Sequence, residues 1–285
     1  MVQFNNTHIE NQEKLSLKID GDMKESDFDK INGIFLYYND VTDYEQERLM
    51  IPIPWYSTEQ AYQMELPNLY LNTAKFTDSE DWLSDLKLFT GIKSFYSHSE
   101  TFKIDFLSEF KSLQELYLYK AIISDWSFLL ELKSLSMVFI NKCGDRGNEI
   151  VKYLSQLYVS NICIKYAGIN DLTPLSNMKI LSELNLGHNE IEDLTPIMGN
   201  RCYYLTLRWN KIKDITPLSK VDSYMMNLRH NRIEDCITMV DKIKARRIRR
   251  CFLKYNNLPD EQVQGLKRLN EKPETHLVVS DFEDM

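Results

Sequence analysis

The chain lacks most of the features that would mark it as a membrane-spanning, disulfide-built or enzymatic protein. No run approaches the roughly 18 consecutive apolar residues that a transmembrane helix needs, so no membrane span and no membrane partner are expected. The first residues, Met1 to Glu10, lack a basic region followed by an apolar one, so no secretory leader is expected. Cysteine is scarce: there are five, an odd number, and no CxxC pair. That pattern fits a reducing compartment, and the chain is expected to be cytoplasmic. There is no HExxH, no Ser-His-Asp ordering, no carboxylate pair and no phosphate-binding glycine loop. The chain is therefore expected to be no enzyme and to carry no cofactor.

Positive charge is also short. Lys and Arg number 34 against 42 Asp and Glu, giving a net charge of -8 and a pI of about 5.3. That balance argues against wholesale coating of nucleic acid. Hydrophobic residues make up 43% of the chain, enough for a continuous core. A compact domain of 285 residues would often split in two, but a chain of repeats need not. Richness in Asn, Lys, Ile and Tyr is consistent with an AT-rich bacterial genome.

What is present is a repeat. Leu181 to Ile197 reads LSELNLGHNEIEDLTPI, and Cys202 to Leu218 reads CYYLTLRWNKIKDITPL. The common pattern is LxxLxLxxNxIxDLTPL, and Leu184 to Leu205 is a step of 21 residues. Self-similarity at this period is the mark of a leucine-rich repeat. Aligned on the second leucine, the chain offers ten repeats, at Ile34, Leu69, Phe95, Leu116, Val138, Ile162, Leu184, Leu205, Met226 and Cys251. An aspartate lies nine residues further on in eight of the ten: Asp43, Asp78, Asp125, Asp171, Asp193, Asp214, Asp235 and Asp260. Their even spacing makes them turn and cap residues rather than catalytic acids. The Phe95 and Val138 repeats lack that aspartate.

Within a repeat, pairs such as Leu116/Leu118 alternate at period 2 and predict a short strand. Stacked strands make a parallel sheet. Asn39, Asn189, Asn210, Asn231 and Asn256 occupy the turn, where an amide can both donate and accept. Ala74, Ala121, Ala167 and Cys143 replace them elsewhere, so the amide ladder should be broken mid-chain. Thr173-Pro174, Thr195-Pro196 and Thr216-Pro217 resemble a cap followed by proline at the first position of a helical turn.

The sequence resembles the internalin-like and phosphatase-regulator-like branch of the leucine-rich repeat superfamily, whose repeats of this length also carry Asp-Leu-Thr-Pro-Leu. The resemblance covers roughly residues 31–258 and is strongest from Ile162 to Asp235. It implies an α/β leucine-rich repeat solenoid of about ten repeats. A parallel sheet would line the concave side, with short helices or 3-10 turns on the convex side. One domain, 1–285, is expected. Residues 1–30 form an N-terminal cap, with a capping strand over Leu15 to Ile19. Residues 31–258 carry the repeats, with an insertion at about 44–65, and residues 259–285 form a C-terminal cap. Helices are expected over Glu149–Leu157, Thr238–Arg247 and Asp260–Leu269, and a final strand over His276–Val279. Internalin-like proteins carry a signal peptide and a surface anchor, and host-cell adhesion is not expected of a chain with neither.

The same resemblance implies a protein-binding scaffold, with the concave sheet as docking face. The column after the second leucine reads Phe35, Tyr70, Tyr96, Tyr117, Phe139, Cys163, Asn185, Thr206, Asn227 and Phe252. Five consecutive aromatics at strand spacing of about 4.8 Å predict a stacked, exposed stripe, which reads as a contact surface or as rings that stabilise their own sheet by stacking. Further along the strands, Lys165, Arg208, Arg229 and Lys254 share one column, and Tyr166, His188, Trp209, His230 and Tyr255 the next. Cations interleaved with aromatics suit a partner with acidic and apolar groups. The expected partner is another protein, met by an adaptor, inhibitor or immunity-type protein. The alternative is a solenoid that binds nucleic acid or an anionic ligand through the basic C-terminal half. No metal site is expected, because His188 and His230 stand about 10 Å apart, two strands' spacing. The run Lys242 to Arg250 is expected to lie on a solvated face.

Overall fold

The computed structural model describes residues 7–18, 24–37, 68–72, 81–98, 106–245 and 247–270. It divides into two compact units, Met1–Ser134 and Leu135–Met285.

In the first unit, helix α1 (Thr7–Leu17) and the short α2 (Glu25–Phe28) precede strand β1 (Gly33–Tyr37). Strand β2 (Asn68–Asn72), helix α3 (Asp81–Leu86), β3 (Ser94–His98) and β4 (Glu115–Tyr119) follow. All pairings are parallel, but the spatial order is β2-β1-β3-β4. Ile34 pairs in register with both Leu69 and Phe95, so the first repeat strand lies between the second and the third. A simple sequential stack would have put β2 in that place. The segment at 44–65, expected as an insertion, lies outside the described residues, as does Asn39.

The capping strand expected at Leu15 is instead the end of α1. Ile9 and Glu13, four residues apart, are both fully buried, while Glu10 and Lys14 pair at 2.6 Å on the helix surface. The helical spacing of this buried pair outweighs the short alternation of Leu15 and Leu17.

The second unit begins with β5 (Met137–Asn141), helix α4 (Gly147–Leu154) and β6 (Asn161–Lys165). Strands β7 (Ile180–Asn185), β8 (Arg201–Thr206) and β9 (Met225–Asn227) come next, then helix α5 (Ile237–Lys244), β10 (Arg250–Phe252) and helix α6 (Asp260–Asn270). Here the spatial order follows the chain. Ile162, Leu184, Leu205, Met226 and Cys251 stand side by side in register. These residues and the second inward column, Ile164, Leu186, Leu207, Leu228 and Leu253, are all buried. The expected final strand and acidic tail lie outside the described residues.

The returning side of each repeat is a 3-10 turn where the repeat is shortest, at Thr173–Asn177, Thr195–Ile197 and Thr216–Lys220. The cap there is not the threonine. The carboxylate two residues earlier accepts the Thr backbone N–H at 2.8 Å, from Asp171 to Thr173, Asp193 to Thr195 and Asp214 to Thr216. Asp125 does the same for Ser127 and Asp235 for Ile237. The aspartate column is thus structural at these five positions. Holding these donors keeps the carboxyls of Asp171 and Asp214 below their ordinary range.

The Val138 repeat departs from the consensus for a steric reason. Gly144 adopts a left-handed φ of +88°, and a Cβ on Gly147 would meet Ile169 Cγ1 at 2.3 Å and the Ala167 carbonyl oxygen at 2.6 Å. The Gly147 N–H donates to that same carbonyl at 2.8 Å, so α4 starts hard against the next repeat.

Candidate functional site

In the second unit, the amide ladder builds the site. The Asn210 side-chain oxygen accepts from the Ile191 N–H, and its amide donates to the carbonyls of Leu186 and Leu207. Asn231 repeats the arrangement with Ile212, Leu207 and Leu228, and Asn256 with Ile233, Leu228 and Leu253. Asn189 accepts from both Ala167 and Ile169. Each asparagine thereby ties its own turn to the preceding repeat.

The residue before each asparagine is in the left-handed region: His188 (φ 59°), Trp209 (57°), His230 (54°) and Tyr255 (62°). Non-glycine residues rarely sit there, and each costs on the order of 1–2 kcal/mol. Lys120, Lys142 and Tyr166 keep the same turn although Ala121, Cys143 and Ala167 follow them. The amide ladder is interrupted there as expected, yet the turn persists.

This repeated turn throws one side chain per repeat into a single row. Tyr166 stacks on His188 with ring centroids 4.4 Å apart, and His188 on Trp209 at 5.7 Å. Trp209 stacks on His230 at 3.8 Å, and His230 on Tyr255 at 4.1 Å. Five near-parallel rings form a continuous ladder. Tyr166, Trp209 and Tyr255, three of the residues singled out in the sequence, are exposed. His188 and His230 were legible in the same column, and their place in the ladder is what column position alone could have signalled.

A row of cations runs beside the rings. Lys142 Nζ lies 5.2 Å from the Tyr166 ring centre, and Lys254 Nζ 4.8 Å from that of Tyr255. Lys165 lies over Phe139 at 5.6 Å, and the Arg229 guanidinium over Phe252 at 5.1 Å. The Arg208 side chain lies over Gly187, where a Cβ would meet its Cγ at 3.2 Å. Burial, then the charges of Arg208 and Lys165, push the His188 imidazole down to about 4, so it is neutral at pH 7.

The column after the second leucine behaves differently from expectation. In the first unit Phe35 stacks on Tyr96 at 4.2 Å and Tyr96 on Tyr117 at 4.3 Å, both within 10° of parallel. Because β1 lies beside β3, Phe35 reaches Tyr96 directly. Tyr70 stands in register with Phe35 on the other side, and its side chain lies outside the described set. The rings are stacked but not broadly exposed: Tyr117 is 7% accessible, and Phe139 in the second unit 6%. The hydroxyls of Ser94 and Tyr96 both donate to Glu115 Oε2 at 3.1 Å, which holds that carboxylate over the stack. Burial raises the Tyr96 phenol above its ordinary range. The expectation of an exposed stripe is corrected for Tyr117 and Phe139. Tyr96 covers a face of Tyr117, and Lys165 lies over Phe139.

Among other candidates, Cys163 is buried on the sheet face, and desolvation pushes its thiol up to about 12, which leaves it unreactive. Lys242 does not lie on a solvated face. It is buried, and its ammonium donates to the Val221 carbonyl at 2.7 Å. Lys244, Arg247 and Arg249 of the same run are exposed. No group of acidic, His or Cys residues that could hold a metal occurs among the described residues. No described helix is long and apolar enough to cross a membrane.

Parallel strands, amide-tied turns and short 3-10 returns define a leucine-rich repeat solenoid. Among solved structures, the chain is similar to internalin C2 of Listeria monocytogenes, with a TM-score of 0.52 and 16% identity over 90% of this chain and 94% of that one. It is similar also to an internalin, InlF, of the same organism, with a TM-score of 0.50 and 19% identity over 99% and 96%. A leucine-rich repeat protein of Leptospira interrogans gives a TM-score of 0.52 and 18% identity over 75% of this chain and 59% of that one. No family model matches the sequence, and no curated protein matches it. The fold is thus that of the internalin-like leucine-rich repeat.

Proposed function

We propose that this chain is a non-catalytic adaptor or inhibitor that grips an acidic protein segment along the ring ladder and cation row of its second unit. The observation that carries the reading is the pairing of the two rows. His188, Trp209 and His230 each have both ring faces covered by neighbours, so the ladder presents ring edges. Aromatic edges carry the positive end of the ring quadrupole. Lys165, Arg208, Arg229 and Lys254 add full charges alongside. Carboxylates suit such a strip, and Arg binds them bidentately.

Nucleic acid is the weaker reading, because a base needs an open ring face on which to stack. The site residues of this proposal are Lys165, Tyr166, Arg208, Trp209, Arg229 and Tyr255. Tyr117 and Phe139 are buried and stand outside it. The odd number of cysteines, with no CxxC pair, supports a reducing, cytoplasmic setting.

The test is an affinity capture from the native cell with wild-type bait and an Arg208→Glu/Arg229→Glu bait. A protein retained by the first and lost from the second, with both folded by circular dichroism, supports the reading. Equal retention by both baits contradicts it.

A further inference from the structure

A second surface lies at the opposite, N-terminal ends of strands β7 to β10, away from the ring ladder. Ile180 stands in register with Arg201, and Arg201 with Asp222. Tyr158 stands in the turn before β6, two residues ahead of Ser160, whose carbonyl accepts from the Ser182 N–H two residues after Ile180. Tyr158 is 98% exposed and Ile180 74%. Next to them Tyr203 stacks on Tyr224, 4.8 Å apart and 4° from parallel, and Tyr203 too is exposed. The backbone N–H of Tyr224 donates to Tyr203, and that of Arg249 to Tyr224, so Arg249 extends the same row.

The surroundings are basic. Lys179, Arg201, Lys220, Arg247 and Arg249 are all exposed along these strand ends, with Asp222 the acid of the Ile180 row. The charge is distributed unevenly in the whole chain as well. Residues 1–134 hold 12 Lys and Arg against 23 Asp and Glu, and residues 135–285 hold 22 against 19, or net -11 and +3.

We infer that this strand-end surface docks on an anionic lipid bilayer, with Tyr158 and Ile180 entering the interface and the flanking Lys and Arg meeting the headgroups. An aliphatic side chain exposed to this degree gains from hydrocarbon and gains nothing from a nucleic-acid backbone. Singly projecting side chains suit a deformable interface, whereas a folded protein would have to supply a matching pocket. Cations ringing an apolar tip are the pattern of peripheral binding, each contributing roughly fivefold in affinity at a negatively charged surface. The proposal departs from the expectation of no membrane partner and is independent of the ring ladder.

The test is co-sedimentation of the full chain with vesicles of phosphatidylcholine and phosphatidylserine, about 70:30 by mole, against pure phosphatidylcholine. Binding should favour the anionic vesicles, weaken with salt, and fall about tenfold or more both for Tyr158→Ser/Ile180→Ser and for Arg201→Gln/Arg249→Gln. All four residues are at the surface, and an unchanged melting temperature shows that the variants fold. Arg208→Glu/Arg229→Glu should keep vesicle binding, which separates this surface from the ladder. Equal sedimentation with both vesicle types, or unchanged binding by both strand-end variants, overturns the inference. Binding of a single-stranded RNA oligonucleotide with no vesicle binding overturns it too and makes the surface one for nucleic acid.

Discussion

Single side chains do two jobs in this protein: they close turns and they set charge. Asn210 closes a turn with one accepted and two donated hydrogen bonds inside the core. Asn210→Ala leaves those backbone groups unpaired and should cost about 2–3 kcal/mol, measured by urea unfolding. His188 illustrates charge. Its folded pKa, about 4, is depressed below the ordinary 6.5, so the unfolded chain takes up a proton first as pH falls. The contribution is present above about 6.5 and is lost as pH drops towards 4. Urea midpoints should therefore fall from pH 7 to pH 4.5, and His188→Gln should flatten that slope. A slope unchanged by the substitution would put its cause elsewhere. Glu13 has the opposite sign. It is buried, both its oxygens lack a partner, and burial with Asp27 and Glu10 nearby raises its carboxyl to about 8. Its contribution is full below about 4.5 and is lost as pH rises through 8. Glu13→Gln should therefore protect helix α1 from alkaline fraying, as read by hydrogen exchange.

At the scale of the element, each repeat is a strand, a left-handed turn and a short return capped by aspartate. Asp214→Ala removes the acceptor for the Thr216 N–H and should cost about 1 kcal/mol, while Asp214→Asn should retain most of it. Gly147→Ala presses a methyl into Ile169 and the Ala167 carbonyl and should cost about 1–3 kcal/mol, more than either. Much of this level was legible in advance. The leucine and aspartate columns have fixed spacing, and the helices α4, α5 and α6 carry helical periodicity. The order of β1 and β2 was not legible. Ile34 and Leu69 offer the same inward and outward alternation, so pattern alone does not say which one meets Phe95. Helix α1 was missed because Leu15 and Leu17 alternate like a strand, while the buried partner of Ile9 is a charged Glu13. The covering of Tyr117 and Phe139 was missed for a different reason. A column gives direction, but accessibility depends on how neighbouring rings and Lys165 lie across it.

For the molecule as a whole, the scaffold ties recognition to rigidity. Left-handed turns at Tyr166, His188, Trp209, His230 and Tyr255 are costly one by one, and the amide ladder and ring stack hold most of them in place. A binding strip built in this way loses little entropy when a partner docks. The most direct measurement of that claim is photo-crosslinking in the native cell, with a benzoylphenylalanine in place of Trp209 and, as control, in place of exposed Lys152 on α4. The account predicts a discrete crosslinked protein from position 209, absent from 152, whose yield falls when Arg208 and Arg229 are also changed to Glu. A crosslink that survives those charge changes, or one that forms equally from position 152, would contradict it.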